Sequence, residues 1–309
     1  MPAITVAIPT FRRATELRRL LSALGALETE RQISILVADN DAQSLEGVGI
    51  SREFVAAGYR WPLDYIVVPE RGIAQVRNAL VARAFADPSV RFVAMLDDDE
   101  WPERWWLEEL LVAQDKSRAD VVRGTILRVY EVAPPVWASE WDGVASIHKA
   151  NVYRGIIDGT GNVLISRDCF AGLTEPYFDP QFGLTGGEDG DFFARLRKIG
   201  ARFTWAEGAV VYEQVPAARV TLSWALLRAY RTGNSDMRIV LKNMDRPSDL
   251  IYEIGKIIGA LLSVPILIIM NCATPSRRLH GVRKFCRAAG KVGALIGHRY
   301  YEYADHGQR

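Results

Sequence analysis

Residues 91–102, RFVAMLDDDEWP, constrain this chain more than any other stretch. Phe92, Val93, Ala94, Met95 and Leu96 make an apolar run of strand length that ends in four consecutive acids, Asp97, Asp98, Asp99 and Glu100. A continuous apolar run reads as a buried strand, so the acids emerge at its carboxyl end. Four adjacent carboxylates repel one another unless something cationic sits among them. Open α/β sheets bind ligands at the carboxyl ends of their strands, where the fitting occupant is Mg²⁺ or Mn²⁺ carrying a phosphorylated substrate. The competing reading is a solvated acidic turn that caps the next helix, with Pro102 in its first turn.

The segments before this one repeat a strand, loop, helix unit. Residues 4–8 form a strand broken by Pro9 and Thr10, and Leu17, Leu20, Leu21, Leu24 and Leu27 then share one helical face. A second strand over 33–38 ends at Asp39, Asn40 and Asp41; a third over 63–68 leads through Pro69 and Gly72 into a helix from Ile73. This alternation predicts an α/β fold with a Rossmann-like, mostly parallel sheet flanked by helices. At 309 residues and 49% hydrophobic content, the chain can bury one large core with an appendage.

Further strands are expected over 121–129 and 163–166. Between them lies a looser segment with Trp137, Trp141 and His148, whose indoles either stack on sugar rings or seal a core edge. Gly161 and Asn162 lead into the second of these strands. In FGLTGGEDGDFFARLRKIG, Gly186 and Gly187 permit a tight turn, and Glu188, Asp189 and Asp191 open a helix that carries Phe192, Phe193 and Leu196 inward. Such carboxylates suit a helix dipole; equally, an Asp in a glycine-lined opening can act as a general base. Arg219, Arg228 and Arg231 around the next helix face either a diphosphate or solvent.

The net charge of +1 argues against a general nucleic-acid binder. Three cysteines without CxxC spacing and four histidines without ligand spacing indicate neither a disulfide framework nor a zinc site, and fit a reduced, cytosolic environment. The amino terminus lacks the pattern of a signal peptide, so no export is expected. Residues 257–270, IIGALLSVPILIIM, carry no charge but span only about 21 Å as a helix, and Pro265 interrupts them. Arg277, Arg278, Arg283, Lys284, Arg287, Lys291 and Arg299 follow without an acid. That pairing predicts peripheral attachment to an anionic cytoplasmic membrane surface, with a buried apolar hairpin as the alternative and the question of lying on or spanning the membrane left to residues 251–273.

The motifs VAIPTFRR, ILVADND, ERGIAQVRN, FVAMLDDDEWP, TGNVLISR and GGEDGDFFARL, in this order, resemble the family 2 glycosyltransferases of GT-A fold, and within them the bacterial exopolysaccharide glucosyltransferases of succinoglycan type. The resemblance implies that Pro9, Thr10 and Arg12 surround the nucleotide and that Asp39 pairs with its base. It places Arg77 and Asn78 beside the sugar nucleotide, Asp97 and Asp99 on the metal with Asp98 between them, Asp189 as catalytic base, and Glu188 at the acceptor site; Trp137 and Asn162 complete the expected substrate contacts. Glu213 stands where many relatives have a metal-binding histidine, and its role is open. The processive QxxRW pattern is absent, which favours addition of a single sugar.

The implied reaction is inverting transfer, with glucose from UDP-glucose moved to a saccharide on a polyprenyl diphosphate at the membrane. The implied division is a catalytic domain over 1–240, with a nucleotide-binding half over 1–125 and an acceptor half over 126–240, followed by a helical membrane-associating region over 241–309. A sugar nucleotidyltransferase would need a glycine-rich phosphate loop where PTFRR stands, and a DxDx(T/V) phosphatase a small β-branched residue where Trp101 stands. A catalytically silent membrane-associated scaffold is the reading that intact acids at Asp99 and Asp189 oppose.

Overall fold

The computed structural model describes residues 3–135, 137, 159–270 and 275–302. Its first half alternates as the apolar periodicity predicts: β1 (Ala3–Thr10), α1 (Ala14–Gly25), β2 (Ile33–Asp39), α2 (Glu46–Ala56), β3 (Leu63–Val67), α3 (Ile73–Phe85) and β4 (Val90–Met95). β1 is buried along its whole length between β2 and β4, parallel to both. Ile4, Val6 and Ile8 join Leu17, Leu20, Leu21 and Leu24 of α1 in one core layer, while Ala7 turns to the opposite layer with Val76, Leu80 and Val81 of α3. A strand covered on both faces leaves its carboxyl end as the one place for polar groups.

The second half is mixed. It comprises β5 (Glu100–Pro102), α4 (Trp106–Ser117), β6 (Val121–Tyr130), β7 (Val163–Ser166), α5 (Arg167–Ala171), α6 (Glu188–Lys198) and β8 (Phe203–Val215). The sheet order is β3-β2-β1-β4-β7-β6-β8-β5. Four of its seven pairings are parallel, and three are antiparallel. Parallel pairing therefore holds around β1 and again between β6 and β8, while β7 pairs antiparallel with β4 and β6, and β5, which follows β4 after only four residues, pairs antiparallel with β8.

The link from β4 to β5 bends the sheet. Only Leu96, Asp97, Asp98 and Asp99 separate these strands, yet β7, β6 and β8 lie between them in the sheet. Four strand spacings of about 4.8 Å make about 19 Å in a flat sheet, beyond the roughly 17 Å reach of five extended residue steps, and the chain also reverses here. The sheet curls, and the acid turn ends up facing β6 and β8. Pro102 pairs with Val211 inside β5, and α4 starts only at Trp106, so the acids do not cap a helix.

Three helices close the fold: α7 (Leu222–Asn243), α8 (Pro247–Met270) and α9 (Pro275–Leu295). α9 packs on α7 at backbone distance, since a Cβ on Gly233 would strike the Arg287 carbonyl and one on Gly290 the Tyr230 carbonyl. α8 runs for 24 residues straight through Pro265, about 36 Å, so the expected interruption and shortfall in length are both overturned. Packing replaces what the proline removes: Ile257 and Val264 are buried, and Gly281 of α9 lies against Leu267 and Ile268. By length and composition α8 can cross a membrane. Its outer face exposes Ile251, Ile258, Leu262, Ile266 and Ile269, while Glu253 turns inward to Lys291 at 2.9 Å.

Gly290→Val should force α7 and α9 apart at a cost of about 2 kcal/mol, lowering Tm by roughly 5 °C in a thermal scan followed by circular dichroism. An unchanged Tm would show that the two backbones are not in contact.

Candidate active site

The curled sheet encloses a cleft of about 570 Å³ at the carboxyl ends of β1 and β4, bounded by α6, α7 and β8. The size suits a drug-sized ligand or nucleotide. Its floor is the acid turn, where each carboxylate has a different environment. Asp98 is buried; it accepts from the Thr10 hydroxyl at 2.9 Å and from Arg13 at 2.8 Å. Burial outweighs Arg13 and pushes its carboxyl up to about 6. Asp99 is shared between Arg13 at 2.8 Å and Arg219 at 3.5 Å, and burial raises it too, with Asp97 and Glu213 adding repulsion. Asp97 is the open member, with 41% of its side chain exposed and Arg77 at 3.2 Å.

Glu100 extends the cluster inward. It is buried, accepts the Asp97 amide at 3.0 Å, and lies so close to Gly161 that a Cβ there would collide with its carboxylate. Burial raises its carboxyl well above the ordinary value. Glu213 sits opposite Glu100 in the β5–β8 register and contacts Arg128 at 3.4 Å and Arg219 at 3.9 Å. Glu213, whose role the sequence left open, is thus a further carboxylate facing two arginines. Among the described residues, no three histidine, cysteine or acidic side chains converge on a ready-made ion cage.

The second wall comes from the turn into α6. Gly186 and Gly187 adopt φ of 73° and 99°, which favours glycine, and no side chain caps the helix after them. Its three acids divide their work. Asp191 is fully buried and ties α6 to α7 through Lys242 at 2.7 Å and Asn243 at 2.8 Å. Glu188 is buried against Arg77, with its second oxygen and the nearby Thr160 hydroxyl unpartnered among the described residues. Burial, then Asp189, push Glu188 up to about 8 against the pull of Arg77. Asp189 lines the cleft, accepts the Gly190 amide at 2.7 Å and directs its other oxygen toward Gly159.

Of the residues singled out in the sequence, Pro9, Thr10, Arg77, Asp97, Asp98, Asp99, Glu188 and Asp189 line this one cleft. Arg12 does not. It takes φ of 52° and pairs outward with Asp41 at 2.6 Å, leaving half its side chain in solvent, while Arg13 enters the acid turn instead. That bond to Arg12 holds the Asp41 carboxyl well below the usual range. Asp39 is buried, with its oxygens accepting the Asp41 and Val48 amides at 2.9 and 3.2 Å, so it braces the start of α2; its neighbour Asn40 reaches the cleft wall.

Asn78 binds both backbone groups of Phe178, at 2.7 and 2.9 Å, away from the cleft. Asn162 is also removed from it. Fully buried, it accepts from Trp106 at 2.7 Å and donates to the Thr125 and Ala209 carbonyls at 2.8 and 2.9 Å, which uses its whole amide to join α4, β6 and β8. Trp137 is half-buried and not among the residues lining the cleft; Trp141 and His148 lie outside the described residues.

Arg77→Met removes the counter-charge of a buried carboxylate and should cost about 3–5 kcal/mol in urea unfolding. Glu188 has its proton affinity raised in the folded chain from an ordinary 4.5, so the folded state is favoured at low pH and loses that advantage as pH rises toward 8. Without Arg77 the carboxyl rises further, and the variant's deficit should be larger at pH 9.5, above the folded value of about 8, than at pH 5. An equal deficit at both values would mean that Glu188 does not sense Arg77.

Residues 5–177 match the model of "Glycosyl transferase family 2". The succinoglycan biosynthesis protein ExoM of Rhizobium meliloti is 31% identical over 246 residues, which is 77% of this chain and 75% of that protein. Among solved structures, the mannosyltransferase PcManGT from Pyrobaculum calidifontis, in complex with GDP-Man and Mn²⁺, superposes with a TM-score of 0.65 at 16% identity, over 95% of this chain and 87% of that one. S. aureus TarS 1–349 in complex with UDP gives 0.53 at 14%, covering 99% and 98%. Motif order, a mixed curled sheet with flanking helices, and the extent of these matches agree: the chain is a GT-A-fold glycosyltransferase and belongs to glycosyl transferase family 2.

Proposed function

We propose that this chain adds a single sugar, glucose from UDP-glucose, with inversion, to a saccharide on polyprenyl diphosphate during bacterial exopolysaccharide synthesis at the cytoplasmic face of the membrane. The observation that carries the reading is one cleft holding Asp97 and Asp99 on its floor and Asp189 on its wall. ExoM, by its name a succinoglycan biosynthesis protein, supports the pathway class. The GDP-Man and Mn²⁺ of PcManGT and the UDP of TarS support a nucleotide-bound donor and a metal.

The donor set fits Mg²⁺ or Mn²⁺. Hard carboxylate oxygens are available on Asp97 and Asp99, and Mg²⁺ is commonly held by one or two carboxylates together with substrate phosphates, so a complete protein cage is not required. Bound there, the ion would neutralise charge on the departing nucleoside diphosphate. Thr10 and Arg13 hold Asp98 and Asp99 in place, and Arg77 fixes Glu188 and faces Asp97. Asp189 takes the proton of the acceptor hydroxyl, whose oxygen attacks the anomeric carbon from the face opposite the leaving group. Residues 1–240 supply the chemistry, in nucleotide and acceptor halves meeting near 125, and residues 241–309 the membrane contact.

Asp189→Asn should leave UDP-sugar affinity within about twofold while kcat falls by about 10² or more. Asp99→Asn should instead weaken the manganese-dependent part of donor binding in calorimetry. Full turnover by the first variant, or metal-dependent donor binding unaltered in the second, would remove that residue from the mechanism.

The exposed apolar face of α8 and the acid-free basic stretch after it support membrane attachment. The full chain should sediment with anionic vesicles at low salt and be partly released at high salt, as screening weakens the basic contribution. A chain that stays in solution with such vesicles would refute membrane attachment; one that resists both salt and alkaline carbonate would make α8 a spanning helix.

A further inference from the structure

The far wall of the cleft is cationic. Arg128 of β6, Arg219 in the turn before α7, and Arg228 and Arg231 of α7 all line it, and Arg228 lies near enough to the other three to be repelled by each. The carboxylates at hand among the described residues are Glu213, Asp99 and Glu302. Glu213 serves Arg128 and Arg219, Asp99 also meets Arg219, and Glu302 pairs with Arg231. Among the described residues Arg228 contacts the Trp224 ring, 5.1 Å from its centroid, and has no carboxylate partner. Arg123, further along β6, bonds the Gly159 carbonyl and likewise has no carboxylate.

Arginines gathered at close range need an anion, as the acids of the opposite floor need a cation. Guanidinium forks match the paired oxygens of a phosphate. The two needs are served by different ligands. Arg219 is the member that touches Asp99 and so belongs with the donor, whereas Arg128 meets Glu213 and Arg228 lies against the Trp224 ring. Arg228 is also carried on the helix that leads, about 22 Å further along, into the link to α8. The cleft and the apolar helix α8 are thereby joined by one element.

Resting on the glycosyltransfer reading above, we propose that Arg128 and Arg228 form a subsite for the diphosphate of the lipid-linked acceptor, distinct from the place of the donor's diphosphate. The full chain is titrated with farnesyl diphosphate, with and without saturating UDP and Mn²⁺, and with farnesol as the uncharged control. Farnesyl diphosphate should bind in both conditions and farnesol should not. Arg128→Gln/Arg228→Gln should lose at least tenfold in farnesyl diphosphate affinity while keeping UDP affinity within twofold. Arg228→Gln alone, at an exposed position that leaves the Arg128 to Glu213 pair intact, should show the same direction with an unchanged thermal midpoint.

Displacement of farnesyl diphosphate by UDP, or an equal loss of both affinities, would assign these arginines to the donor and overturn the proposal. Unchanged farnesyl diphosphate affinity in the variants, or equal binding of farnesol, would overturn it as well. Failure of the unaltered chain to bind UDP would count against the glycosyltransfer reading alone, since the farnesyl diphosphate titration without UDP still judges the subsite.

Discussion

Four residues between β4 and β5 determine the shape of the site. Had this link been longer, the eight strands could lie as an open twisted sheet and the acids would project from one edge into solvent. Its shortness makes the sheet curl, so that the acid turn faces the far strands and a convex edge becomes a walled concavity. The same residues that impose the bend also provide the carboxylates, which couples the geometry of the cleft to its chemistry without an additional loop.

Inside that concavity, placement is electrostatic rather than apolar. Taking carboxylates out of water is costly, and the raised proton affinities of Asp98, Glu100 and Glu188 express that cost. Arg13 and Arg77 offset part of it, each bridging two acids that would otherwise push apart: Asp98 with Asp99, and Asp97 with Glu188. These ion pairs fix the charges of the cleft in place within the folded chain, the kind of preorganisation that the proposed metal and diphosphate would draw on.

Much of this was legible in the sequence, for identifiable reasons. The strands around β1 read as continuous apolar runs because both faces of the sheet are covered, and the acids stood out because those of 97–100 end a buried run and those of 188–191 follow a glycine turn. Other features depend on information that spacing does not hold. Which of Arg12 and Arg13 enters the site is decided by one left-handed backbone angle. Asn78 and Asn162 look like ligand contacts from their motifs, yet both hydrogen-bond to backbone groups or an indole that only the folded chain brings near, while Asp39 accepts two backbone amides and keeps acceptor capacity on both oxygens. The antiparallel entry of β5 and β7 and the continuity of α8 through Pro265 likewise arise from tertiary pairing, against the local signal.

The glycines at 233 and 290 bear on more than packing. With no side chains to act as cushions, α7 and α9 have almost no slack between them, and α8 is clasped to α9 in turn. The three helices form one packed unit, with α7 in the cleft wall and the apolar outer face of α8 on its other side. On the proposed membrane attachment, the depth at which that face settles would also fix the height and tilt of the cleft mouth above the headgroups.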